Sequence, residues 1–163
     1  MLKKKYLLGL IVLALPLLMA ACSTGNATAS SQKIKAAWIT PQVVGEIVSI
    51  PVNTIQDKTH IHFKVASPTG DIAFMAYTLN GEITVRSNIC PPCRSIGFSL
   101  SGDTLVCDTC GTVFNAVTGD GISGACIAYP KAEVAYTTDQ GNITLAMSDL
   151  VDAYQKTKVA GWP

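Results

Sequence analysis

The sequence lacks a basic excess: 12 Lys plus Arg stand against 11 Asp plus Glu. Three of those lysines, Lys3, Lys4 and Lys5, crowd the first five residues, so the rest of the chain is mildly acidic. A body of that charge cannot neutralise a row of phosphates, which excludes nucleic acid as a partner. The longest apolar run covers only residues 7–18 and contains Pro16. A spanning helix needs roughly 20 apolar residues, so this run is not a permanent membrane span. No pattern for a helix of fifteen or more residues follows it, which excludes an all-α domain. Gly119-Asp120-Gly121 is followed by neither a well-placed lysine nor a helical pattern, so it is a turn and not a phosphate loop. No nucleophile-elbow motif presents a serine for covalent catalysis.

What the N-terminus does contain is the layout of a secretory signal: lysines, a short apolar run, then small residues. Met19-Ala20-Ala21-Cys22 resembles a bacterial lipobox. The expectation is a lipoprotein signal peptide over residues 1–21, with Cys22 acylated and becoming the first residue of the mature chain. Ordinary secretion, with Cys22 left in the signal, is the alternative. A polar stretch of small residues follows, so residues 22–44 read as a flexible tether, and residues 45–163 as one modest domain. The implied location is extracytoplasmic, anchored to a membrane by lipid.

The domain is written in strand patterns. THIHFKV, DIAFMAYTL and EITVRS are rich in β-branched and aromatic residues, and Asn80-Gly81 joins the last two as a tight hairpin. EVAYTT and NITLAM flank Asp139-Gln140-Gly141 as a second hairpin, after which Ser148 is placed to cap a short C-terminal helix. The expected class is a mainly β, small domain.

Its chemistry is concentrated in NICPPCRSIGFSLSGDTLVCDTCGTVF, residues 88–114. The Cys-Pro-Pro-Cys pair alone resembles the motif of thioredoxin-like thiol-disulfide oxidoreductases, which requires a helix directly after it. Residues 95–101 alternate like a strand instead, with Gly97 where a helix would least accept it. Two Cys-x-x-Cys turns on one short hairpin can bring Cys90, Cys93, Cys107 and Cys110 together, as in a rubredoxin- or zinc-ribbon-like pair of knuckles. Gly111 suits the bend after the second pair. Pro91 and Pro92 have no N–H, so the first knuckle has fewer donors for sulfur than the second. The alternative is a pair of structural disulfides, which export favours. Cys126 makes an odd number and opposes it; a metal site can use Cys126 as an extra or exchangeable ligand.

Other residues could reach a metal. His60 and His62 point to the same side of a strand, which the sequence places in solvent, and neither has the spacing to a cysteine that a Rieske centre requires. Met75 and Met147 read as core residues of apolar strands, and Arg94 as a solvated strand residue.

The segment from Cys90 to Pro130 resembles the core of the FtrD-like family of membrane iron-sulfur proteins, and the likeness extends from about Gly45 to Tyr154. The matching residues are Cys90 and Cys93, Gly97-Phe98, Val106-Cys107 through Phe114, and Gly124-Ala125-Cys126. Ala125, Ile127 and the displaced Pro130 depart from the family's Gly-Gly-Cys-Asn-Pro pattern. The resemblance implies iron-sulfur binding and electron transfer beside an iron permease or another redox partner protein, while the thiolate ligands themselves suit an iron-sulfur cluster, mononuclear iron or zinc. A structural zinc or disulfide module of a surface lipoprotein, and a thiol-disulfide oxidoreductase, are the alternatives from other classes.

Overall fold

The computed structural model describes residues 32–162. The expected signal peptide and Cys22 lie outside the described residues. The chain enters through β1 (Ile34–Lys35), β2 (Ala37–Ile39) and β3 (Gln42–Val44). The stretch read as a tether over residues 22–44 is therefore sheet from Ile34 onward. These strands are two or three residues long, too short for alternation to show, and each is ordered by pairing with a different sheet.

β4 (Ile47–Pro51) leads into a short helix, α1 (Val52–Lys58), and then into the long strands β5 (His60–Ser67), β6 (Gly70–Leu79) and β7 (Glu82–Ser87). After the first cysteine pair come β8 (Phe98–Ser101), β9 (Thr104–Cys107), β10 (Val113–Asn115) and β11 (Gly121–Ser123). The hairpin β12 (Thr137–Asp139) and β13 (Asn142–Ala146) precedes α2 (Met147–Thr157). The domain is mainly β, as the sequence indicates. Among the described residues no helix is long and apolar enough to cross a membrane.

Both expected hairpins form. Asn80 (φ 53°) and Gly81 (φ 86°) both take left-handed backbone conformations, as do Gln140 (φ 46°) and Gly141 (φ 78°), and two such residues in succession match the twist of the flanking strands. Ser148 does not cap α2. The helix starts two residues earlier than a cap at Ser148 would set, Ala146 stands at its cap without a side-chain bond, and Met147 is the first helical residue rather than a strand residue. Leu150, Ala153 and Thr157 are the buried positions of α2, the helical spacing of a face turned to a core.

Three sheets run β1-β8-β9-β10-β11, β12-β13-β4-β3 and β2-β5-β6-β7. The last is covered on both faces. Ile61, Phe63 and Val65 of β5, with Ile72, Phe74 and Ala76 of β6, face a core shared with Val48, Ile50, Ile143, Leu145 and Leu150. The opposite face carries Met75 and Tyr77 into a second core with Phe98, Leu100, Leu105 and Phe114. That second core also contains Cys90, Cys107 and Cys126.

Candidate metal centre

The first knuckle is a tight turn closed by its own ends: the Cys90 N–H donates to the Ser95 carbonyl at 2.8 Å. Between them Arg94 takes φ 57° and is exposed, so it is a turn residue and not the strand residue expected. β8 and β9 then pair from Phe98 opposite Cys107 to Ser101 opposite Thr104. This hairpin returns the chain to where it began, which puts the second Cys-x-x-Cys beside the first. The Asp108 N–H donates to the Gly97 carbonyl at 2.9 Å and ties the two turns together. In the second knuckle the Cys107 N–H reaches the Thr112 carbonyl and the Gly111 N–H reaches the Cys107 carbonyl, each at 2.9 Å. Gly111 has φ 70°, a bend that residues with a Cβ adopt at a cost.

The ligand atoms of Cys90, Cys93, Cys107 and Cys110 all lie within 4.8 Å of one another. Sγ of Cys93 is 3.7 Å from Sγ of Cys107. A metal–thiolate bond of about 2.3 Å gives a tetrahedron whose edge is roughly 3.8 Å. The four thiols thus stand close to the spacing of one tetrahedral thiolate shell, and the donor set suits zinc or iron. Cys90 and Cys107 are buried, Cys93 and Cys110 are half-buried, and all are free thiols. The inner pair excludes water while the outer pair remains near the surface.

Cys126 comes from a separate segment, and its sulfur lies 3.7 Å from that of Cys110. Gly124 (φ +109°) makes the approach possible: a Cβ there would stand 2.7 Å from the Cα and hydroxyl of Thr112. Thr112 is fully buried. Its hydroxyl accepts the Cys126 N–H at 3.2 Å and lies 3.2 Å from Sγ of Cys110.

The electrostatics divide the thiols. Burial pushes the Cys90 thiol well up, and hydrogen bonds with Cys93 and Cys126 add to the rise. Burial also raises Cys107, against the N–H of Cys110, the Ser95 side chain and the N–H of Thr109, which favour its thiolate. Cys110 feels a smaller penalty from burial, and the Thr112 hydroxyl and N–H overcome it, with help from Cys107 and Cys93, to bring it down to about 6. Backbone donors to sulfur thus come from the second knuckle, while Pro91 and Pro92 have none to give.

The histidines are not where the sequence suggests. His60 is 0% exposed and His62 is 2% exposed; they sit opposite Tyr77 and Met75 on the inner face of β5, under the sheet that carries the cysteines. An alternating strand looks half-solvated when polar residues occupy one face, but here a second sheet covers that face. Burial lowers His60 to about 4 and His62 to about 3. Met75 is core, as expected. No helix follows Cys93, because the chain continues into β8, so the helix terminus that a thioredoxin-like thiol needs is missing. Sequence reading missed Ser95, Thr112 and Lys131. Serine and threonine next to cysteines carry no distinctive pattern, and a lysine 21 residues beyond the second pair has no visible link to it.

A family model described as "Membrane iron-sulfur containing protein FtrD-like" matches residues 55–156. The chain belongs to this FtrD-like family. The match takes in both knuckles, Cys126 and most of the two cores. No curated protein matches the chain. Among solved structures, a chain of the "Complex of reduced oxygenase and oxidized ferredoxin in carbazole 1,9a-dioxygenase" is similar, with 18% identity and a TM-score of 0.52. That similarity covers 64% of this chain and 95% of the other. The Sphingomonas yanoikuyae B1 ferredoxin has 22% identity over 51% of this chain and 83% of its own, with a TM-score of 0.42. At these identities the first similarity describes the fold of the FtrD-like chain. The iron-sulfur description comes from the family, and the four-thiol group is compatible with it.

Proposed function

We propose that this chain is an extracytoplasmic electron-transfer protein, tethered to a membrane through acylated Cys22, whose centre is iron held by Cys90, Cys93, Cys107 and Cys110. The observation that carries the reading is the convergence of four free thiols within 4.8 Å, in a member of a family described as iron-sulfur. Bound iron would supply a one-electron couple. The protein's part is to fix the sulfurs, exclude water from Cys90 and Cys107, and donate hydrogen bonds to the thiolates of the second knuckle, which stabilises the more negative, reduced state. Half-buried Cys93 and Cys110 give a partner protein a short approach between exposed Pro92, Arg94, Asp108 and Thr109. The compact spacing favours one iron over a cluster, whose ligands divide between metals and stand farther apart than the edge of one tetrahedron.

The redox partner would be a component of an iron-transport system at the same membrane, a permease or a protein attached to it. This part of the reading rests on the family resemblance. The anchor rests on the sequence at Cys22.

Visible absorption of the anaerobically isolated protein tests the centre. The expected result is sulfur-to-iron charge-transfer bands that bleach with one electron per chain and return on reoxidation. A colourless protein carrying zinc would replace the proposal with a structural metal site, and insulin reduction by a metal-free dithiol would replace it with thiol-disulfide exchange. Cys22→Ser tests the anchor separately: loss of acylation and release from the membrane are expected, and unchanged acylation would remove Cys22 from the account.

A further inference from the structure

Lys131 is 1% exposed, and its ammonium lies inside the cysteine-bearing core. Nζ donates to the Ile89 carbonyl at 2.8 Å and stands 4.3 Å from the ring centroid of Phe114 and 5.3 Å from that of Phe98. Aromatic faces attract a cation, but they do not replace the hydration that burial removes. Among the described residues the ion pairs join Arg86 to Glu133 and Lys156 to Asp152. Lys131 therefore has no carboxylate partner among the described residues. The groups that act on its charge are the cysteines: burial lowers it from 10.5 to about 8, and Cys90, Cys107, Cys126 and Cys93 oppose that fall.

The segment is held for this placement. The Lys131 N–H donates to the Gly119 carbonyl at 2.8 Å, and Nη1 of buried Arg86 donates to the Lys131 carbonyl at 2.8 Å. Gly119 has φ +85°, and a Cβ there would collide with the Lys131 carbonyl and stand 2.7 Å from Nη1 of Arg86. Ile89, which accepts from the ammonium, directly precedes Cys90. The lysine thus joins the segment after Cys126 to the entrance of the first knuckle.

We infer that Lys131 is the built-in counter-charge of the four-thiol site, placed to stabilise its anionic, metal-loaded state and to raise its reduction potential. The inference rests on the proposed metal centre. Four thiolates around a divalent ion leave a net charge of about −2 in a partly dry site, and a fixed buried cation offsets it. Reduction adds one negative charge, so the same cation favours the reduced form. In the metal-free protein no metal holds the four sulfurs in their anionic form, so the buried Lys131 charge keeps the cost of its burial with less to offset it. Loss of the charge should thus weaken the loaded state without weakening the empty one, a pair of signs that a purely structural lysine would not give.

The experiment compares wild type with Lys131→Gln, Lys131→Met and Lys131→Arg in the full chain. Glutamine keeps a donor for the Ile89 carbonyl, methionine removes charge and donor together, and arginine keeps the charge. Cobalt(II) is added to reduced, metal-free protein and followed by thiolate-to-cobalt charge-transfer absorption. At least tenfold weaker binding is expected for the Gln and Met variants, with metal-free melting temperatures no lower than wild type, and tighter binding for Arg than for Gln. In iron-loaded protein, Lys131→Gln should shift the one-electron equilibrium about tenfold toward the oxidised form, which is about 59 mV lower in potential. Equal cobalt affinity and equal potential in folded neutral variants would overturn the inference while leaving the metal centre standing. Neutral variants that fail to fold without metal would make Lys131 a structural residue and overturn it as well. A wild-type protein that shows no thiolate–cobalt absorption would overturn the metal centre first, and the counter-charge with it.

Discussion

The sulfur of Cys126 lies 3.7 Å from that of Cys110, the same separation as between Cys93 and Cys107. The two contacts have different standing. Cys93 and Cys107 belong to the group of four that converges on one point, whereas Cys126 abuts that group from outside, carried there by the Gly124 turn and the Thr112 hydroxyl. Cys126→Ser is expected to keep the fold and the metal-to-protein ratio, and to shift the absorption spectrum or potential of the centre. Loss of metal in Cys126→Ser, measured by metal content, would make Cys126 a required ligand.

Cys107→Ser should behave differently. It removes a buried member of the four and leaves three thiolates, and metal bound at a structural site contributes folding free energy, with apparent values of roughly 10–16 kcal/mol for zinc. Loss of metal and a fall in the melting temperature of the metal-supplemented protein are expected, with a much smaller change in the metal-free protein. Calorimetry with and without metal separates the two terms. Full metal content would remove Cys107 from the site.

Thr112→Val tests the hydroxyl shared by Cys110 and Cys126. Valine fills the space but leaves the buried Cys126 N–H without its acceptor, a loss of about 1–3 kcal/mol. The Cys110 thiol should also rise from about 6 toward its ordinary 9.0. Ultraviolet absorbance of the thiolate, followed against pH in metal-free protein, reads the second effect, and denaturant unfolding reads the first. An unchanged thiolate titration would mean that Thr112 does not set the charge of Cys110.

Acid stability should report the buried histidines. Their folded-state values are lowered from 6.5, to about 4 for His60 and about 3 for His62. The unfolded chain therefore takes up protons first, and the stability they contribute is present above pH 6.5 and lost as pH falls through 4 and 3. The melting temperature of wild type should fall across that window, and replacing both histidines by glutamine should flatten the slope. A slope unchanged by the replacement would assign the acid sensitivity to other groups.

Legibility in the sequence follows the range of the interaction. Asn80-Gly81 and Gln140-Gly141 set their hairpins through local backbone conformation, so both could be read directly. The two Cys-x-x-Cys turns were legible because spacing and hairpin length together decide whether four sulfurs can meet. Burial of His60 and His62 was not, because it depends on a second sheet that folds over β5 from residues far along the chain. The strands before Ile47 escaped for a related reason: two or three residues have no period, and only their partners order them. Lys131 was invisible because its relation to Cys90 runs through Ile89, Phe114 and Phe98, contacts that tertiary structure alone creates.

The central claim, iron held by Cys90, Cys93, Cys107 and Cys110, is tested most directly by X-ray absorption at the iron edge of the anaerobically isolated protein. The expected result is a first shell of four sulfurs at about 2.3 Å, the metal–thiolate length, with no iron neighbour beyond it. A first shell of nitrogen or oxygen, or no bound iron, would contradict the claim.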